Sequence, residues 1–191
     1  KEKNIFEYSP HSSEFYYGIS KRVMLHQLKS LAEQTKIKIC YIVMNNMYGI
    51  NDNFNTQNGH VVPSLIHKFY LAKKRGNSVK LWGSPKTKRC LLYSKDAARM
   101  ILEITKKEIQ VINLSSTKEI TIGQLAKMIA KTYNFNGKII WEKKIFKGVD
   151  RRKLDTSLQK KFKIKEEYSL KKGLKETIEW FHKNYQKKIR L

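Results

Sequence analysis

The feature that most constrains the fold of this chain is the run IKICYIVMNN at residues 37–46. It is almost continuously apolar and rich in β-branched residues, with turn-forming asparagines at its end. Strands that are apolar on both faces are typical of parallel sheets covered by helices. The run therefore predicts a strand buried on both faces within an α/β sheet.

The rest of the chain alternates between helix and strand patterns. A helix is predicted over residues 14–34, where Val23, Met24, Leu28 and Leu31 recur at helical spacing. Such alternation predicts an α/β fold. Further helices are predicted at 61–74, 94–105, from 121, at 155–162 and at 169–186, and further strands at 78–82, 88–93, 110–115 and 138–143.

Several helix ends carry recognisable signals. Thr121 is followed three residues later by Gln124, which is the capping-box arrangement. Ser94 and Asp155 are candidate N-caps, and Pro63 is tolerated only near the first turn of its helix.

The chain contains no internal repeat, and its domain boundary is weakly marked. Residues 47–60 form a long polar loop, which is uncommon unless it has a function. We expect a seam near Asn51, with residues 1–50 in one α/β unit, interleaved with later strands, and residues 51–191 mainly in a second region.

The formal net charge of +24 invites a nucleic-acid interpretation. However, the lysines are spread along nearly every segment, without an RNA-binding signature, a zinc finger or an arginine-rich block. We therefore expect no nucleic-acid partner, although a basic binding module stays open as an alternative.

Other composition features point to a soluble, cytoplasmic protein. Cys40 and Cys90 lie in apolar runs, where a thiol behaves as a small hydrophobe, so neither a disulfide nor a metal site is expected. No apolar run approaches the roughly 20 residues that cross a bilayer, and we expect no membrane association.

The stretch YYGISK contains the most suggestive pair of side chains. Tyr17 and Lys21 are four residues apart, so a helix places them on one face. A nearby ammonium stabilises a phenolate, and such a pair can deliver the proton that a carbonyl oxygen collects when hydride is added. The same spacing also occurs by chance on ordinary helix surfaces.

The order of five segments along nearly the whole chain resembles the extended short-chain dehydrogenase/reductase family. The resemblance is to the branch that converts GDP-4-keto-6-deoxymannose to GDP-L-fucose by NADPH-dependent 3,5-epimerisation and 4-keto reduction. It implies the C-terminal part of a Rossmann-like parallel sheet with a smaller α/β substrate-binding region, an NADP(H) cofactor, a GDP-sugar substrate and a homodimer. The segments are YYGISKRVMLHQLKSL, VMNNMYGINDNF, NGHVVPSLIHKF, WGSPKTKRCLLYSKDAA and RRKLD.

This resemblance implies catalytic roles for three residues. Tyr17 would give a proton to the C4 carbonyl, and Lys21 would support it and bind the nicotinamide ribose. His60 would assist epimerisation close to the cofactor, whereas from the residues alone it is a capping or solvated histidine. The turn that would contact the nicotinamide end consists of Met44, Asn45, Asn46 and Met47.

The resemblance also implies a clamp for the sugar nucleotide. Lys68, Trp82, Arg89 and Arg152 match its positions, although the family usually has arginine where Lys68 stands. Without the resemblance, the two arginines would be solvated and Trp82 would belong to the core. Lys147 and Asp150 also depart from the family's pattern. The remaining histidines are expected at the surface, namely His11, His26, His67 and His182.

Three features of the family are missing from these residues. The chain contains no glycine-rich turn for the cofactor pyrophosphate, and it lacks the serine and cysteine that act with Tyr17 and His60. Because it begins at Lys1, we expect an incomplete enzyme that is inactive alone. Another NDP-sugar 4-epimerase or dehydratase is a further alternative.

Overall fold

Helices and short strands alternate in the computed structural model, which describes residues 1–76, 78–142 and 149–185. The helices are α1 (Phe15–Gln34), α2 (Val61–Arg75), α3 (Ser94–Thr105), α4 (Ile122–Thr132), α5 (Ser157–Lys161) and α6 (Leu170–Asn184). The strands are β1 (Tyr41–Met44), β2 (Met47–Tyr48), β3 (Val79–Trp82), β4 (Lys88–Cys90), β5 (Leu92–Tyr93), β6 (Val111–Leu114), β7 (Glu119–Thr121), β8 (Ile139–Glu142) and β9 (Arg151–Arg152). Two short 3-10 helices, Glu2–Phe6 and Ser12–Glu14, precede α1.

Most strand pairs in the described ranges are parallel. Strand β1 pairs with β6, β2 with β5, β3 with β8 and β4 with β9, whereas β4 and β7 are antiparallel. Parallel neighbours need long crossover connections, and helices provide them here. The predicted α/β class with parallel strands is therefore confirmed.

Two hydrophobic clusters fill the interior. The larger one packs α2, α4 and α6 against β3 through fully buried residues such as Phe69, Leu81 and Phe181. The smaller one packs α3 against β6 through Met100 and Ile112. Because β1 pairs with β6 across the expected seam, residues before and after Asn51 share one sheet, and the division into two regions stays a prediction.

The predicted capping box of α4 is confirmed. The Thr121 hydroxyl accepts a hydrogen bond from the Gln124 N–H at 3.1 Å, and the Gln124 side-chain oxygen accepts the Thr121 N–H at 3.0 Å. This is a complete capping box for α4. Helix α2 ends at Arg75 and is followed by Gly76, whose φ of 66° lies in the left-handed region that favours glycine.

Some predicted elements differ in detail. Residues 88–93 form two strands, because the chain changes partners at Leu91, from β7 and β9 to β2. Ser94 is the first residue of α3 and Tyr93 precedes it as N-cap. Helix α5 begins after Thr156, although the Asp155 carboxylate accepts the Ser157 N–H at 2.8 Å.

The expectation that residues 37–46 form a strand buried on both faces is wrong for this chain. Strand β1 spans four residues, of which Met44 is 42% exposed and the others are half-buried. Helix α1 matches its predicted bounds, but Leu25 is its one fully buried residue in the structure, and Val23 stays exposed. The apolar face of α1 thus leaves β1 partly uncovered.

A few predictions fall outside the described residues. They concern Lys143 at the end of β8, Lys147 and the last residue of the final helix, Gln186. One expectation about the histidines is wrong: His67 is buried, with 7% of its surface exposed. It faces inward on α2, where its ring packs against the ring of Phe181 in α6.

Candidate active site

A cleft of about 1060 Å³ opens at the carboxyl end of β1. Helix α1, the loop after β2 and strand β9 form its walls. Ligands of parallel α/β sheets bind outside the carboxyl ends of the strands. The predicted site residues that line this cleft are Tyr17, Lys21, Met44, Asn45, Asn46, Met47, His60 and Arg152.

Tyr17 and Lys21 lie one turn apart on α1, as their spacing predicts. The Lys21 ammonium is 5.4 Å from the centroid of the Tyr17 ring. Tyr17 is 64% exposed, so its hydroxyl is accessible to a ligand in the cleft. The pair therefore lies at the wall of the cleft with both side chains on one face of α1, and its role as a proton relay stays a prediction.

Tyr41 is a residue of this site that the sequence analysis missed. Its hydroxyl donates a hydrogen bond to the backbone carbonyl of Lys21 at 2.9 Å, which joins β1 to α1. Burial and the nearby Tyr17 raise the pKa of Tyr41. A tyrosine within the otherwise mostly apolar run of residues 37–46 was the available signal.

The two asparagines after β1 differ in their hydrogen bonding. The Asn45 amide donates to the Ser115 hydroxyl at 3.3 Å and to the Arg152 carbonyl at 3.4 Å. Its oxygen accepts the Asn46 N–H at 2.9 Å, so Asn45 holds the turn together. The side-chain oxygen of Asn46 is buried and lacks a hydrogen-bond partner within the described part of the chain.

His60 lies immediately before α2 and faces an acidic partner. Its Nδ1 is 3.2 Å from Oδ1 of Asp52, and its imidazole is largely exposed. His60 occupies the N-cap position of α2, but its side chain makes no capping hydrogen bond, so the solvated alternative is the one that stays open. Asp52 was also missed, although it is the one acidic residue in the polar loop of residues 47–60.

Arg152 brings a positive charge to the edge of the cleft. Its guanidinium forms an ion pair with Glu14, the residue before α1. The pair joins β9 to the start of the helix that carries Tyr17. A guanidinium in this position can bind a phosphate by two parallel hydrogen bonds.

The other three predicted clamp residues do not line this cleft. The Lys68 ammonium is 3.8 Å from the centroid of the Trp82 ring, a cation–π contact. Trp82 is 45% exposed, so its assignment to the core is wrong. Arg89 donates to the carbonyls of Val149 at 2.8 Å and Lys88 at 2.7 Å, and burial lowers its pKa.

The part of the chain that the structure describes contains neither a metal-binding cluster nor a membrane-spanning helix. No group of three or more potential metal-binding side chains is found among residues 1–76, 78–142 and 149–185. No helix in those ranges combines the length and apolar character that crossing a bilayer requires. Cys40 and Cys90 are free thiols, and burial raises the pKa of both.

Comparison with known proteins identifies similar sequences and folds. The chain is 32% identical over 142 residues to GDP-L-fucose synthase 1 of Arabidopsis thaliana, covering 73% of this chain and 44% of that protein. It is 28% identical over 183 residues to the GDP-L-fucose synthase of Dictyostelium discoideum, covering 93% and 57%. The structure of a GDP-L-fucose synthetase from Naegleria fowleri bound to NADP matches with a TM-score of 0.83 and 29% identity, covering 100% of this chain and 61% of that one.

The chain thus spans about half the length of these curated relatives. The model of the NAD dependent epimerase/dehydratase family matches residues 1–115, which is more than half of the 191 residues. The matched part carries the cleft residues Tyr17, Lys21 and His60 and the parallel pair of β1 with β6. The chain therefore belongs to the NAD dependent epimerase/dehydratase family.

Proposed function

We propose that this chain is part of a GDP-L-fucose synthase, an NADP-dependent enzyme that epimerises GDP-4-keto-6-deoxymannose at C3 and C5 and then reduces its C4 ketone. One observation carries the proposal: a single cleft contains both the Tyr17–Lys21 pair and His60. The two halves of the reaction need two different proton-transfer groups. The similarity to GDP-L-fucose synthases supports this substrate.

Tyr17 is the proposed proton donor for the reduction. The C4 carbonyl oxygen must collect a proton as its carbon is reduced, and the exposed Tyr17 hydroxyl can supply it. Lys21, one turn away, stabilises the resulting phenolate through its positive charge. Tyr41 supports this arrangement by tying the backbone of Lys21 to β1.

His60 is the proposed acid/base for epimerisation. Protons next to a ketone are acidic enough to be exchanged by an imidazole near neutral pH. Because its ring is exposed at the start of α2 and lines the cleft, it can approach C3 or C5 of a bound sugar.

The residues at the end of β1 fit the nicotinamide end of NADP(H). The buried side-chain oxygen of Asn46, which has no hydrogen-bond partner among the described residues, can accept a hydrogen bond from a carboxamide. Met44 and Met47, both about 40% exposed, offer apolar surface beside it, and Lys21 can bind the ribose. When bound, this cofactor supplies the hydride. Because these residues include no glycine-rich turn, we predict that the 191-residue chain alone binds NADPH too weakly to detect.

Arg152 is the proposed contact for the diphosphate of the GDP-sugar. It lines the cleft and keeps the fork geometry suited to phosphate. Lys68 and Trp82 are proposed to contact the nucleotide as a stacked pair. Arg89 is proposed to support substrate binding indirectly. Its guanidinium donates a hydrogen bond to the Val149 carbonyl and so holds the backbone there. In this assignment, residues 1–50 belong with the cofactor-binding region and residues 51–191 mainly bind substrate.

Further features support a proposed assembly and a proposed location. Helix α1 exposes an apolar face that includes Phe15, Ile19 and Val23, which supports a homodimer through this helix. The free thiols Cys40 and Cys90 fit a reducing compartment, and we propose that the protein acts in the cytoplasm.

The test uses protein expressed from its complete reading frame. Incubation with GDP-4-keto-6-deoxymannose and NADPH should yield GDP-L-fucose and one NADP⁺ per sugar, measured by chromatography and absorbance. A different NDP-sugar product would indicate another epimerase or dehydratase of the family. The absence of both turnover and cofactor binding would contradict the proposal and would favour a binding module.

A further inference from the structure

We infer that Asp52 is a positioning residue for His60, fixing its ring with Nδ1 protonated and Nε2 free for the sugar. This inference rests on the proposed function and adds a residue to it. The evidence is the 3.2 Å contact between Asp52 Oδ1 and His60 Nδ1. The two residues are eight positions apart, and the loop between β2 and α2 brings them together.

The environment of Asp52 suits this role. Its side chain is 14% exposed, whereas that of His60 is 74% exposed. Its Oδ1 also accepts the Asn53 N–H at 2.8 Å, which fixes the carboxylate in the loop. The carboxylate is thus held in the loop, and the exposed imidazole that it contacts is the member of the pair that solvent or a ligand can reach.

The contact determines the tautomer of the imidazole. A carboxylate only accepts hydrogen bonds, so a neutral His60 ring that bonds it must carry its proton on Nδ1. Nε2 is then left as a lone pair. Both residues line the cleft, so the tautomer selected by Asp52 is the one that can take a proton from the substrate.

The proton-transfer step can be written without any further reactant. Nε2 removes the proton from a carbon next to the ketone, the C–H bond breaks, and its electron pair moves into the enolate. An Nε2–H bond forms, and the reverse step returns a proton to carbon. In D₂O, exchange of the Nε2 proton with solvent introduces deuterium at that carbon.

The first test reads the tautomer directly. Nitrogen-15 and carbon-13 NMR of the five histidines, with His60 assigned through His60→Gln, should show the Nδ1–H form at neutral pH. In Asp52→Asn the amide can donate to Nδ1, and the Nε2–H form should increase. A His60 ring that is mainly Nε2–H in the wild-type protein would overturn the inference, even if Asp52→Asn does not fold.

The second test measures deuterium incorporation into GDP-4-keto-6-deoxymannose by protein expressed from its complete reading frame. Loss of a carboxylate partner of a functional histidine costs about ten- to a hundredfold at metal sites. We expect a fall of that order in the exchange kcat of Asp52→Asn, with KM within about twofold. Asp155→Asn is the matched control, because that carboxylate caps the start of α5.

The outcomes separate the two proposals. If wild-type protein exchanges deuterium and Asp52→Asn matches it in rate and tautomer, the role of Asp52 is overturned and the proposed function stands. If wild-type protein neither exchanges deuterium nor oxidises NADPH, the proposed function fails. In that case the His60 tautomer alone decides whether Asp52 positions the ring.

Discussion

The hydroxyl of Tyr41 donates a hydrogen bond to the backbone carbonyl of Lys21 at 2.9 Å. This bond joins the first strand of the sheet to the helix that carries both members of the proposed relay. Helix α1 buries little of its own apolar surface in this chain, so each contact that orients it has a large relative effect. The placement of Tyr17 and Lys21 over the cleft depends on such contacts.

Tyr41→Phe should therefore loosen α1. The net contribution of an intramolecular hydrogen bond to stability is about 1 kcal/mol, and we expect the free energy of unfolding to fall by about that amount. Hydrogen exchange of the α1 amides should accelerate. The matched control is Tyr16→Phe, because Tyr16 is 87% exposed. Equal stability of the two variants would contradict the role of this bond.

The two arginines of the proposed clamp should respond differently to removal of their charge. Hydrogen bonds to charged groups are worth about 1.5 to 3 kcal/mol, so Arg152→Met should raise KM for the GDP-sugar about tenfold. Loss of its exposed ion pair with Glu14 should lower the free energy of unfolding by about 0.5 kcal/mol or less. Arg89→Met should instead lower the free energy of unfolding by about 1 kcal/mol, because backbone carbonyls of Lys88 and Val149 lose their donor.

Urea denaturation and steady-state kinetics distinguish these effects. Arg75→Met, at the exposed end of α2, is the control for loss of a positive charge from a chain of net charge +24. A KM effect of Arg89→Met that exceeds that of Arg152→Met would show that the clamp assignment is wrong.

The stability of the fold should fall below neutral pH because of His67. Its Nδ1 donates to the Phe54 carbonyl at 2.8 Å, and its buried Nε2 has no hydrogen-bond partner in the described ranges. Burial lowers the pKa of His67 in the folded state. The unfolded chain, with an ordinary histidine pKa of about 6.5, therefore binds the proton more readily.

It follows that the contribution of His67 to the free energy of unfolding is fully present above about pH 6.5. This contribution is lost as the pH falls towards the pKa of His67 in the folded state. Unfolding free energies measured from pH 7.5 to 5 should decline. His67→Phe should lower stability by about 1 kcal/mol at pH 7.5 through loss of the hydrogen bond, and should flatten the decline. The exposed His26 provides the control His26→Gln. An unchanged pH dependence in His67→Phe would refute this account.

The sequence was most informative where local chemistry determines structure. The capping box of Thr121 and Gln124 and the place of Pro63 in the first turn of α2 follow from interactions within a few residues. The shared face of Tyr17 and Lys21 likewise needs only the helical period. The grouping of Tyr17, Lys21 and His60 into one site came from the family resemblance, because these residues are far apart in the chain.

What the sequence did not reveal depends on tertiary pairing. Strands β7 and β9 are short and polar, and they exist because they pair with β4 on its two sides. The burial of His67 depends on packing against Phe181 of the last helix. The Asp52–His60 contact depends on the path of an irregular loop. None of these leaves a periodic signal in the sequence.

The most direct test of the central claim is the rate of NADPH-dependent C4 reduction in Tyr17→Phe, compared with Tyr16→Phe, using protein from the complete reading frame. General acid catalysis contributes about a hundredfold or more, so kcat should fall by at least about that factor in Tyr17→Phe, with substrate binding retained. Tyr16→Phe should reduce the ketone at the wild-type rate. Reduction at the wild-type rate by Tyr17→Phe would contradict the assignment of this residue as the proton donor.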